Sequence, residues 1–239
     1  MKALIVLLAA AVSFSTAHAQ TDLQKVAKDV AKIKSDLGSQ TELAGAYYID
    51  SNGKPALATG DDYLNAVAGS YLYADFNKDG IQDLAVVFED APSSLGNGVV
   101  TMGNRSLQVF LGDQKGYYDQ AVSNSQLVLA ADEGGALGDP FNGLQLTSTN
   151  SIKVFHSGGS GLKWALTQIY QYRGKDFYWI GDTRTDYNSG TRVGKTTDIN
   201  LITGDEVITN MKADGTDQTI KKKLPVKPLV RMAVANPNN

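Results

Sequence analysis

Cysteine is absent from this chain, and proline is sparse, with six residues in 239. Without thiols there is no disulfide, no lipid-bearing cysteine and no thiolate-held metal. Histidine is almost missing too, since His18 and His156 are the two present. A closed zinc site of nitrogen and sulfur ligands is therefore excluded. The apolar stretch Ala3–Val12 falls well short of the ~20 residues that a spanning helix needs, and no membrane span is expected. Neither sign of charge dominates: 22 Lys and Arg stand against 25 Asp and Glu, a net charge of −3. That balance gives no basic face for nucleic acid and no strong pull toward anionic membranes.

The first residues have the layout of a secretory signal. Lys2 precedes the apolar stretch, and Ala17-His18-Ala19 supplies the small residues of a cleavage site. Cleavage after Ala19 is expected, so that residues 1–19 are removed and a periplasmic or secreted protein remains, with 21 basic against 25 acidic side chains. Thr21-Asp22-Leu23-Gln24 then reads as a capping box. Leu23, Val26, Val30, Ile33 and Leu37 recur at spacings of three and four before Gly38, which predicts an amphipathic helix over 20–38.

Beyond Gly38 the helical period disappears and short extended segments alternate with turn signals. Leu166–Tyr172 and Phe177–Ile180 flank Arg173-Gly174-Lys175-Asp176, a clear hairpin. Glu206–Met211 and the segment from Thr219 flank Asp214-Gly215, a second one, and Ser157–Gly161 reads as a flexible stretch after the strand Ile152–Phe155. Residues 39–239 are thus expected to form one β-rich domain.

The most specific local pattern is Asp75-Phe76-Asn77-Lys78-Asp79-Gly80-Ile81-Gln82-Asp83. Oxygen side chains at alternate positions can wrap a hard cation, and calcium takes six to eight such ligands. Asp75, Asn77 and Asp79 occupy positions one, three and five, Ile81 offers its carbonyl at seven, and Asp83 closes the loop at nine. Gly80 sits at the sharp bend, where a β-carbon is costly. An EF-hand would require Glu at position twelve and an exiting helix, but Val86 stands there and Leu84–Phe88 reads as a buried strand.

This loop and strand resemble the FG-GAP or VCBS type of repeat. Ser106-Leu-Gln-Val-Phe-Leu-Gly112 with Gly116-Tyr-Tyr-Asp119 and Ala121-Val122 is similar to the later strands of such a blade, so the likeness covers about Tyr71 to Val122, with an insertion between Ala91 and Arg105. The resemblance implies a mainly β, antiparallel, propeller-blade-like sheet domain. A seven-bladed ring would need about twice this chain length. Gly143–Thr203 is also similar to the C-terminal half of secreted bacterial proteins that carry one calcium loop upstream.

Other motifs fail on spacing. Gly190-Thr-Arg-Val-Gly194-Lys195-Thr196 has three residues between its glycines where a phosphate loop needs four. His156 beside Gly158-Gly-Ser-Gly161 does not form a nucleophile elbow, and reads as a hydrogen-bonded surface residue at a strand end. Two carboxylate pairs, Glu89 with Asp90 and Asp182 with Asp186, could serve as acid and base in a hydrolase. Trp164, Trp179 and several tyrosines, among them Tyr117 and Tyr178, could line a glycan or peptide face. The expected function is a monomeric binding module for a protein or glycan with structural calcium. A periplasmic inhibitor or immunity protein is one alternative, and a carboxylate-based hydrolase is the other.

Overall fold

The computed structural model describes residues 16–33, 41–52, 54–96 and 98–237. The chain divides into two units, 1–39 and 40–239. The first contributes α1 (Thr16–Ile33), along which Lys25 pairs with Asp29 at 2.9 Å. Most of the predicted signal segment and the end of the expected helix, beyond Ile33, lie outside the described residues. Among the described residues no helix is long and apolar enough to cross a membrane.

The second unit is mainly β. It opens with β1 (Thr41–Leu43), β2 (Tyr47–Ile49), β3 (Pro55–Leu57), the short helix α2 (Gly60–Val67) and β4 (Tyr71–Ala74). There follow β5 (Asp83–Asp90), β6 (Ser93–Ser94), β7 (Val100–Thr101), β8 (Arg105–Gly112) and β9 (Tyr118–Asn124). The remainder is β10 (Phe141–Leu146), β11 (Ile152–Gly159), β12 (Leu162–Arg173), β13 (Asp176–Asn188), β14 (Val193–Asn200), β15 (Asp205–Met211) and β16 (Gln218–Lys223).

These strands form two principal antiparallel sheets, neither closed into a barrel. In the first, β5 pairs β8 on one side, β8 pairs β9, and the other edge of β5 is shared end to end by β4 and β1. β5 is central, which is why Asp83 through Glu89 are buried without alternation. The second sheet is a seven-stranded meander from β10 to β16 in chain order. Its β11 alternates buried with half-buried residues, as a strand with one face on a core should. β2 with β3 and β6 with β7 make two small ribbons.

One core joins the two sheets. Val87, Leu107, Val109 and Val122 come from the first, Ile152, Val154, Tyr170 and Phe177 from the second, and Met232 and Ala235 from the C-terminal segment. Asn124 fastens that segment by donating its amide to the carbonyls of Met232 (2.7 Å) and Ala235 (2.9 Å).

Both predicted hairpins fall on strand pairs. Arg173 pairs Asp176 across a two-residue turn between β12 and β13, and β15 pairs β16 around Asp214-Gly215. The stretch read as flexible is instead ordered: β11 continues to Gly159, with Ser157, Gly158 and Gly159 paired to Ala165, Trp164 and Lys163. Glycine there serves close packing, because a β-carbon on Gly158 would stand 2.6 Å from the Trp164 ring.

Candidate functional site

The 75–83 loop links β4 to β5, and its polar side chains turn inward onto its own backbone. Asp75 accepts from the amides of Asp79 and Gly80, both at 3.0 Å. Asn77 Oδ1 also accepts from Asp79 N at 3.0 Å, its amide donates to Asp79 Oδ2 at 2.8 Å, and Asp79 Oδ1 accepts from Ile81 N at 2.8 Å. Two residues adopt left-handed backbone, Lys78 (φ 64°) and Gly80 (φ 86°), which curls the chain tightly enough for these short-range bonds.

Asp83 is different in character. It is fully buried, and its two oxygens receive the amides of Phe76 (2.7 Å), Asn77 (3.4 Å) and Gly112 (3.0 Å). Burial pushes its carboxyl above the usual range, against the pull of those three amides. A carboxylate has about four lone-pair directions, so Asp83, accepting three amides, anchors the loop to the end of β8 and keeps little further acceptor capacity. Gly112 allows that approach, since a β-carbon on it would lie 2.5 Å from the Gln82 carbonyl oxygen. Phe76 holds the loop from below, buried and edge-on to Phe177 at 6.0 Å, and Asn150 donates to the Asp75 carbonyl at 3.1 Å.

Asp75, Asn77 and Asp79 thus lie on one exposed loop, with Asp83 behind them. Among the described residues no three Asp, Glu or His side chains converge closely enough to form a metal cage. The donor chemistry nevertheless suits a hard cation: hard oxygens alone, two of them carboxylates, Asp79 exposed and Asp75 half-buried, on a loop whose base is fixed by buried contacts. Asp75, Asn77 and Asp79 would hold such an ion by exchanging some of their bonds within the loop for it.

Beside the loop lies a cleft of about 410 Å³. Asn77 and Lys78 form one wall, Thr149 and Gln171, Tyr172 and Arg173 at the end of β12 the other. Arg173 donates to Gln171 at 2.8 Å, and Gln171 to the Thr149 carbonyl at 3.4 Å, so the far wall is internally braced.

The two proposed carboxylate pairs are not arranged for acid and base work. Glu89 and Asp90 are adjacent on β5 and point to opposite faces. Asp182 and Asp186 share a face of β13, but four residues of strand separate them by roughly 13 Å, beyond the ~5–9.5 Å over which paired carboxylates act on a glycoside. Glu89 and Asp182 are both buried.

Glu89 belongs to a network that sequence reasoning missed. Its register partner on β8 is Arg105, which is fully buried and bonds Glu89 through Nε at 2.7 Å. Arg105 also grips Asp139 with two bonds of 2.6 Å and donates to the Leu129 carbonyl at 3.2 Å. Burial opposes the Arg105 charge, but the bonds and charge of Asp139, with those of Glu89, more than restore it. Burial pushes Glu89 up against the pull of Arg105. His156 is not a surface residue at a strand end: it is buried within β11, packed on Phe141, and accepts from Leu129 N at 3.4 Å. Burial and the nearby Arg105 charge lower its pKa to about 4, so it is neutral at pH 7. With Glu89 and Arg105 on the first sheet and His156 and Phe141 on the second, the network is a polar joint between sheets.

Searches against protein-family models, curated proteins and solved structures find no match to this chain.

Proposed function

We propose that the chain is an exported calcium-binding β protein acting as a binding module for a protein or glycan, with a structural calcium held by Asp75, Asn77, Asp79 and the Ile81 carbonyl, and Asp83 anchoring the loop. The observation that carries this reading is the position of the cleft. Asn77 and Lys78 belong at once to the oxygen-rich loop and to the cleft wall, so an ion that stiffens the loop also fixes one side of the ligand site. A polar cleft of that size, walled by amide, hydroxyl and cationic groups, suits a hydroxyl-rich or peptide ligand.

The first sheet is read as one blade of the FG-GAP or VCBS type. What supports this is that β4, β5, β8 and β9 lie side by side in chain order, with the loop between the first two. The amphipathic helix over 20–38 is supported by the spacing of Leu23, Val26, Val30, Ile33 and Leu37.

Calcium at tenfold excess over its Kd would add about 1.4 kcal/mol to stability by mass action. Melting in calcium against melting in excess chelator is the test. The chelator should lower the Tm of the native chain and leave Asp79→Ala unaffected. Glycan and peptide arrays probed in both conditions then test the cleft: binding should require calcium and weaken in Gln171→Ala/Arg173→Ala. Binding indifferent to both changes would place the ligand elsewhere.

A further inference from the structure

After β16 the chain runs Leu224-Pro225-Val226-Lys227-Pro228-Leu229-Val230 and returns to the start of β13. Both ends of this strap are pinned. Leu224 N donates to the Gly204 carbonyl at 2.7 Å, Trp179 N donates to the Val230 carbonyl at 2.9 Å, and Tyr178 bridges to Arg231. Gly204, at φ 78°, permits the first contact, because a β-carbon there would stand 2.4 Å from the Leu224 oxygen. β16 lies three strands from β13, about 14 Å at the usual strand spacing. Six steps of extended, proline-rich chain cover about 19 Å. The surplus length lets the strap arch over the sheet.

Beneath the arch is a cavity of about 370 Å³ whose walls include Trp179, Ile199, Leu201, Leu224 and Leu229. The indole N–H of Trp179 is already donated to the Gly181 carbonyl at 2.9 Å, so the ring offers an apolar wall. A chamber lined mostly by apolar groups holds water poorly and takes apolar molecules readily. Lys227 is the one charged residue of the lining. It is exposed, and its ammonium makes no ion pair among the described residues, whereas Lys222 and Lys223 nearby are paired with Glu206 and Asp205.

We propose that this cavity binds a small amphipathic anion, a single medium-length alkyl or aromatic tail under the strap with its carboxylate or sulfonate at Lys227. The volume accommodates about a dozen groups the size of a water, ~30 Å³ each, which matches decanoate. Pinning at both ends admits one free chain and excludes a diacyl lipid held in a bilayer. The site is separate from the calcium loop and does not rest on the reading above.

The test uses the full chain and anilinonaphthalene sulfonate as the fluorescent probe. The dye should bind saturably and be displaced by decanoate, with decanol about tenfold weaker for want of the charged contact. Leu201→Trp, which fills the chamber, should abolish displacement. Lys227→Gln alters an exposed side chain, so the fold persists; it should weaken decanoate about tenfold and leave decanol unchanged. Chelator should have no effect on any of these values, which separates this result from the calcium experiment. The proposal is overturned if decanoate fails to displace the dye, if Leu201→Trp binds as the native chain does, if Lys227→Gln retains full affinity for decanoate, or if phosphatidylglycerol vesicles compete as well as free decanoate.

Discussion

Arg105 is a fully buried guanidinium, which is tolerable only when its donors are occupied. Glu89 and Asp139 occupy them. Arg105→Ala should therefore cost about 3–5 kcal/mol, read from urea denaturation, since it strands Glu89 without a counter-charge. Glu89→Leu/Arg105→Met should recover much of that loss, as apolar replacements of both partners often do. His156 adds a pH dependence of definite sign. Its folded pKa of about 4 lies below the unfolded value of 6.5, so the unfolded chain binds more protons between those limits. Its contribution is complete above pH 6.5 and lost as pH falls toward 4, about 3 kcal/mol in all. Glu89, displaced upward, acts in the opposite direction just above its own unfolded pKa. Comparing the native chain with His156→Gln across pH 4–7 isolates the histidine: the variant should show the shallower decline. Little of this network was legible in the sequence. Arg105 and Asp139 are 34 residues apart, and nothing local marks either as buried. The burial of Glu89 was equally hidden, because it is set by the register of β5 on β8, which places Arg105 opposite it.

Loops and hairpins gave more away, since their determinants are neighbours in the chain. The bend at Gly80 was readable because alternate oxygens and a glycine are local signals, and the structure places Gly80 at φ 86°. Gly80→Ala meets no atom within 4 Å, so its cost is backbone conformation alone, about 1–2 kcal/mol in thermal or chemical unfolding. Gly112→Ala should be the more damaging of the two. Its β-carbon would press on the Gln82 carbonyl, a backbone atom that cannot rotate away, and would push the loop off the Asp83 anchor. The β12–β13 turn was readable for the same local reason. The full strands were not: β13 extends to Asn188 and β11 to Gly159, lengths set by cross-strand pairing rather than by composition. The strap at 224–230 carried no sequence signal beyond its two prolines.

At the scale of the whole molecule, an antiparallel, mainly β architecture was foreseeable from the turn spacing, and the division into two sheets around one core was not. Alternation tells which residues share a face without telling which faces meet. The seven-stranded sheet ends in β16, every residue of which is exposed, so its outer edge is a template for another strand. Lys221, Lys222 and Lys223 guard it by charge. Lys221→Val/Lys223→Val should shift the protein toward dimers and larger species in light scattering at neutral pH, while single substitutions elsewhere on the exposed surface should not.

Calcium uptake by the 75–83 loop is the proposal on which the binding-module reading depends. Calorimetric titration of calcium into the chelator-stripped chain tests it without any intermediate. One saturable site, with a Kd at or below the millimolar range of extracellular calcium modules and absent in Asp79→Ala, is the predicted result. A flat titration of a correctly folded native chain, or an equal site surviving in Asp79→Ala, would contradict it.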